Sequence, residues 1–206
     1  MPLHPLVFVD VDTQIDFMLP DGNLYVPGAE RIIPNLQRVT AYAAERGIPV
    51  VSSVDAHSPN DPEFQQFPPH CVKGTPGQEK LPQTLLSQRI VIPNERQELP
   101  QGERLPGIQQ WILEKQTFDV SSNVNFASLL DKLDAGQFIV FGVATEYCVR
   151  LAVKGLLERS QRVALLLDGI REIDAVSGQE ALRQMQKDGV ESIRAEQVLA
   201  TSLPIS

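Results

Sequence analysis

The stretch FIVFGVATEYCVRLAVKGLLERS, Phe138–Ser160, carries the reading of the fold. Phe138–Val143 is an apolar run of strand length, too short to be a buried helix. From about Glu146 the period changes, and Val149, Ala152, Val153 and Leu156 recur at helical spacing as far as Ser160. A strand passing directly into an amphipathic helix is the repeating half of a βαβ unit. A strand apolar throughout suits a parallel sheet covered on both faces.

The same alternation extends in both directions. Leu6–Val11 (LVFVDV), Ile48–Val54 and Val163–Asp168 (VALLLD) read as further buried strands, with shorter candidates at Arg89–Pro93, Trp111–Lys115 and Glu191–Ile193. Helices are expected over Gly28–Arg46, where Ile32, Leu36, Val39 and Ala43 share a face and Gly47 closes the segment. Others are expected around Phe126, Leu129, Leu130 and Leu133, and near Ala175–Lys187. No repeat, low-complexity tract or linker interrupts the pattern. Residues 1–206 therefore read as one α/β domain, a three-layer α/β/α arrangement with a mostly parallel central sheet. Residues 94–107 read as a polar turn. Ser58–Gln78, rich in Pro, Asp, Gln and Gly, has no period, and a loop of that length in a compact domain is more often functional than idle.

Composition narrows the function. Of 206 residues 42% are hydrophobic and 21% charged, as in an ordinary globular chain. A net charge of −8 argues against a nucleic-acid backbone or an anionic membrane as partner. No run approaches a membrane span, and Met1–Pro5 enters the first strand without a signal-peptide pattern. Two cysteines, Cys71 and Cys148, make no disulfide framework, zinc ribbon or CxxC pair. A reduced, soluble, cytoplasmic protein is expected.

In open α/β sheets ligands sit outside the carboxyl ends of the strands. Standing there are Asp10 and Asp12, Asp55 and His57, Lys115, Ala144–Cys148, and Asp168. Alone, Cys148 would read as a small buried hydrophobe. Its place in the first turn of a helix, directly after a strand, gives it the partial positive charge that favours a thiolate. Alone, Asp12 would be a turn or cap residue and Lys115 a solvated lysine. Lys115, however, ends the apolar run WILEK, which puts its head over the sheet edge. The three together offer an acid/base group, a cation and a nucleophile.

A second cluster is Asp55-x-His57 with His70 beyond the long loop and Glu63 seven residues before it. Asp and His two apart on extended chain project to one side. This mixed oxygen and nitrogen set suits zinc, iron or manganese rather than calcium; the alternative is three ordinary polar loop residues. Cys71, adjacent to His70, is awkward as a further ligand and reads as a packed thiol. His4 reads as a surface residue.

With these motifs set out, the chain resembles the nicotinamidase/isochorismatase-like cysteine hydrolases, and looks most like the nicotinamidase (pyrazinamidase) branch. DTQIDF at 12–17, DAH at 55–57, FPPHCVKGTPG at 67–77, Lys115 and GVATEYCV at 142–149 carry the resemblance, which covers nearly the whole chain. It implies a catalytic triad of Asp12, Lys115 and Cys148, with Lys115 keeping the thiolate populated. It also implies an oxyanion hole from the backbone of Ala144 and Cys148, and a cis peptide at Val143–Ala144. By the same resemblance Asp55, His57 and His70, with Glu63 as fourth ligand, hold a divalent metal, zinc foremost, with iron or manganese as alternatives. Phe17 and Phe67 would stack on a flat substrate, Gln14 and Asp16 would support the loop, and the chain would form a homo-oligomer. The implied activity is deamidation of nicotinamide or a similar small carboxamide through a Cys148 thioester. Hydrolysis of another small amide, ureido or carbamoyl compound is the alternative, followed by an isochorismatase or a non-catalytic metal-binding relative. Two departures stand out. Phe67 replaces a frequent Trp, and Phe118–Asn125 differs from the segment that borders the substrate in relatives.

Overall fold

Five short apolar runs and two more amphipathic ones become the strands of a single sheet. In this computed structural model, which describes residues 2–97, 99 and 107–200, they are β1 (Val7–Val11), β2 (Val50–Asp55), β3 (Arg89–Ile92), β4 (Gln110–Lys115), β5 (Phe138–Val143), β6 (Val163–Arg171) and β7 (Glu191–Ile193). Residues 98 and 100–106 of the polar turn lie outside the described residues. The strand order is β3-β4-β2-β1-β5-β6-β7 and every described pairing is parallel, so the sheet is wholly rather than mostly parallel.

Strand alternation divides the core in two. Val7, Val9 and Val11 of β1 pack on one face against Leu129 and Leu133 of α3 (Phe126–Leu133), Ala152, Val153 and Leu156 of α4 (Arg150–Glu158), and Met185 of α5 (Ala175–Lys187). Phe8, Val50, Ile139 and Phe141 face the other way, onto Leu36, Val39 and Ala43 of α2 (Ile33–Arg46) and Val198 of α6 (Ala195–Leu199). The expected helix Gly28–Arg46 is divided: Ala29–Ile32 is a 3-10 turn and the α-helix starts at Ile33. Pro34 explains this, because proline lacks an N–H and fits only the first helical turn. Gly47 closes α2 in the left-handed conformation, φ 64°, as expected. The one-turn α1 (Ile15–Met18) and α6 are too short for periodicity to reveal.

The helix expected from Glu146 also differs. Thr145–Val149 forms a wide π-turn, in which Val149 N–H bonds to Ala144 C=O at 3.2 Å, before α4 begins at Arg150. β1 lies between β2 and β5, and the chain builds outward in opposite directions from it, so the topological switch point is at the carboxyl ends of β1 and β5. At that join Gly142 has φ 118°, and a Cβ there would meet Val11 O at 2.0 Å. Among the described residues no helix is long and apolar enough to cross a membrane.

Candidate active site

Asp12 leaves β1 in the left-handed conformation, φ 50°, which turns its carboxylate across the end of the sheet. Oδ1 accepts from Ser53 Oγ at 2.6 Å, and Oδ2 lies 2.8 Å from Lys115 Nζ. Lys115 ends β4 directly opposite Asp55 in the β2–β4 register. Its ammonium donates to Asp55 Oδ1 and reaches Cys148 Sγ at 3.7 Å. The head that was expected over the sheet edge is wholly buried. Cys148 sits in the π-turn after β5 and is 6% exposed. The Val143–Ala144 peptide is cis, as the resemblance implies.

One ammonium serves two buried carboxylates. Burial opposes the Lys115 charge, but Asp12 and Asp55 outweigh it and hold its pKa well above the lysine range. Burial likewise opposes the Asp55 charge, yet Lys115 and His57 keep that carboxyl low. At Asp12 burial wins over Lys115, and its pKa is raised. Burial also pushes the Cys148 thiol well up, with Lys115 pulling against it.

Asp55 also faces the second cluster. Its Oδ2 lies 3.7 Å from His57 Nε2 and 3.9 Å from His70 Nε2, and Glu63 Oε1 lies 3.7 Å from His70 Nε2. Ligand atoms of Asp55, His57 and His70 fall within 4.8 Å of one another, with Glu63 beside them. Of the outer ring nitrogens, His70 Nδ1 is held from behind at 2.8 Å from Pro68 O, while His57 Nδ1 makes no hydrogen bond and lies 3.1 Å from the Asp61 carboxylate. That arrangement aims both Nε2 atoms inward, as at metal-ligating histidines. His57 Nε2 and Glu63 Oε1 are buried with no hydrogen-bond partner. Despite burial, Asp55 and Asp61 raise His57 to about 9. Orphaned donor atoms and surplus negative charge fit a small divalent cation.

The loop is pinned by the opening motif. Gln14 Nε2 donates to Asp55 O (2.9 Å) and Gln78 O (2.8 Å), while its Oε1 accepts from Asp55 N (2.7 Å). Asp16 accepts from Cys71 N at 2.7 Å, and Cys71 itself is fully packed, as expected. A small, partly open cavity lies above the two clusters. Cys148, Ala144, Asp55 and His70 all line it. Phe17 and Phe67 are in its walls as expected, joined by Phe118 from the segment that the resemblance sets beside the substrate, and by Tyr147 and Ile173, which sequence reasoning missed. The Phe118 ring stands 5.9 Å from Phe67 and 5.5 Å from Tyr147. Ser53 was also missed; its signal is a polar residue inside the apolar run before Asp55. Two strand-end candidates go elsewhere. Asp168 accepts from Ala195 N at 2.9 Å at the start of α6, and Asp10 pairs with Lys80.

The sequence matches the isochorismatase domain over residues 6–197. The nicotinamidase of Escherichia coli (strain K12) is 30% identical over 187 residues, 84% of this chain and 85% of that protein. The pyrazinamidase of Pyrococcus horikoshii, solved in complex with zinc, has a TM-score of 0.75 and 26% identity, covering 92% of this chain and 99% of its own. An N-carbamoylsarcosine amidase from Thermoplasma acidophilum shares the fold at 22% identity and TM-score 0.73, covering 93% of this chain and 96% of its own. With the domain match spanning both clusters, the chain belongs to the isochorismatase family of hydrolases.

Proposed function

We propose that the chain is a metal-containing cysteine amidohydrolase that converts nicotinamide, or a close aromatic carboxamide, to the acid and ammonia. The observation that carries this reading is one apolar cavity bordered by both Cys148 and the Asp55–His70 pair. Phe17 and Phe67 offer flat walls for a ring. Among the described residues no Lys or Arg lines the cavity to pair with a substrate carboxylate. That favours a neutral carboxamide over an N-carbamoyl amino acid or a dicarboxylate such as isochorismate. The similarity to the Escherichia coli nicotinamidase supports the same choice.

In this reading Cys148 Sγ bonds to the carboxamide carbon while its proton passes to Asp12. The raised pKa of Asp12 suits it to accept and return a proton. The oxyanion is held by the N–H groups of Ala144 and Cys148, each such donor worth about 3–4 kcal/mol. As the C–N bond breaks, Asp12 gives the proton to departing ammonia. Water then attacks the thioester carbon and yields a proton to Asp12, which returns it to the leaving sulfur. Lys115 stays protonated throughout and orients Asp12. Asp55, His57 and His70, with Glu63 alongside, would hold a divalent cation, zinc foremost, which would supply Lewis acidity beside the bound ring. Both thiols are free, which suits a reducing cytoplasm. The test is ammonia release from nicotinamide. No ammonia from the wild type, or an undiminished rate in Cys148→Ala, overturns the proposal.

A further inference from the structure

Behind the triad, on the α2 side of β1, lies a second buried charge pair for which the reaction has no use. Lys80 Nζ stands 2.7 Å from Asp10 Oδ2, with side chains 2% and 1% exposed. Thr13 sits between them: its Oγ1 accepts from Lys80 Nζ at 2.7 Å and donates to Asp10 Oδ1 at 2.9 Å. Ser52 Oγ reaches Asp10 Oδ2 at 3.2 Å, and Gln110 Nε2 donates to Ser52 Oγ at 2.9 Å. The network thus ties β1 to β2, β4 and the end of the long loop.

Such a pair is weak evidence for stability, because apolar residues of similar volume usually fill a core as well. Its position gives it another use. Asp10 and Thr13 flank Asp12, a non-glycine residue at φ 50°, a conformation that persists only where the surroundings over-determine it. Lys80 is also bridged to Gln14, and Leu81 N–H bonds to Thr13 O at 2.9 Å, so the turn is gripped on both sides. Neither Asp10 nor Lys80 lines the cavity.

We propose that Asp10 and Lys80 are positioning residues that hold the left-handed turn at Asp12, and so set its carboxylate against Lys115 and Cys148. This rests on the reading of Asp12 as the proton acceptor. The test is the double substitution Asp10→Leu/Lys80→Met, which leaves no unpaired charge. The expected result is a thermal midpoint near wild type, unchanged metal content and KM for nicotinamide within about twofold. The kcat falls roughly 10–100-fold, the scale of an ångström misplacement in a reacting geometry. Alkylation of Cys148 by iodoacetamide, followed on its own peptide, changes about threefold or more. Lys80→Arg alone, which keeps the charge opposite Asp10, retains most of both. Alkylation needs no substrate, so it decides the matter even if nicotinamide is not turned over by the wild type. A double variant with wild-type kcat and alkylation rate overturns the proposal, as does a loss matched by the unfolded fraction. Should the double variant not fold, Thr13→Val, which removes only the hydroxyl between the charges, is judged by the same two rates.

Discussion

Asp55 and Lys115 face each other across the β2–β4 register, and Asp55 uses one oxygen for the Lys115 ammonium and the other for His57 and His70. A single carboxylate therefore belongs to both clusters. Asp55→Asn should act on each, whereas His57→Ala removes only a metal donor. Both variants are expected to lose most of their metal on gel filtration, measured by elemental analysis. Iodoacetamide labelling of Cys148 separates them: His57→Ala should match chelator-stripped wild type, and Asp55→Asn should differ from it by about threefold or more. Equal rates in all three would show that Asp55 does not couple the sites.

Lys115 is wholly buried between Asp12 and Asp55, so its loss strands two carboxylates. Lys115→Met is expected to cost about 3–5 kcal/mol of unfolding free energy in urea, the usual penalty for breaking a buried pair. Cys148→Ala removes one small thiol from the same pocket and should cost only about 1 kcal/mol. Both should abolish turnover. A Lys115→Met protein as stable as Cys148→Ala would mean that the carboxylates find other partners.

Much of this site was legible in the sequence, and what was not has a physical reason. Asp12, Asp55, His57 and Cys148 follow apolar runs at strand ends, where a parallel sheet must present them. Lys115 could be placed at a sheet end but not in the interior, because nothing local reveals two carboxylates arriving from β1 and β2. Phe118 and Tyr147 meet Phe67 only through tertiary packing, across separations that no periodicity encodes. The π-turn at Thr145–Val149 escaped for a different reason, since one extra residue in a turn barely disturbs the helical pattern.

Alkaline titration should register both buried thiols. Burial raises the Cys148 and Cys71 pKa values, so the folded chain holds those protons where the unfolded chain has lost them. The stabilisation is complete below the unfolded thiol value near about 8.5 and is lost as pH rises above it. Lys115, also raised, adds loss in the same direction only above about 10.4. Between those limits each thiol contributes a slope approaching about 1.4 kcal/mol per pH unit. Cys148→Ala should therefore roughly halve the fall in urea-unfolding free energy over that interval. An unchanged slope would mean that Cys148 is already ionised in the folded chain.

Phe118 lines the cavity, and its ring closes the wall between Phe67 and Tyr147. Its side chain carries no ionisable group, so under the proposed function its part would be to hold the ring rather than move protons. Phe118→Ala should raise KM for nicotinamide about tenfold, close to the loss of one aromatic contact, with kcat within about threefold. The space released should improve kcat/KM for carboxamides on larger rings relative to nicotinamide. N-carbamoyl amino acids should stay poor substrates, because the substitution adds room and no cation. Steady-state kinetics on the three classes checks this. An unchanged KM would place the bound ring elsewhere, and a fall in kcat alone would give Phe118 a part in aligning the carboxamide with Cys148.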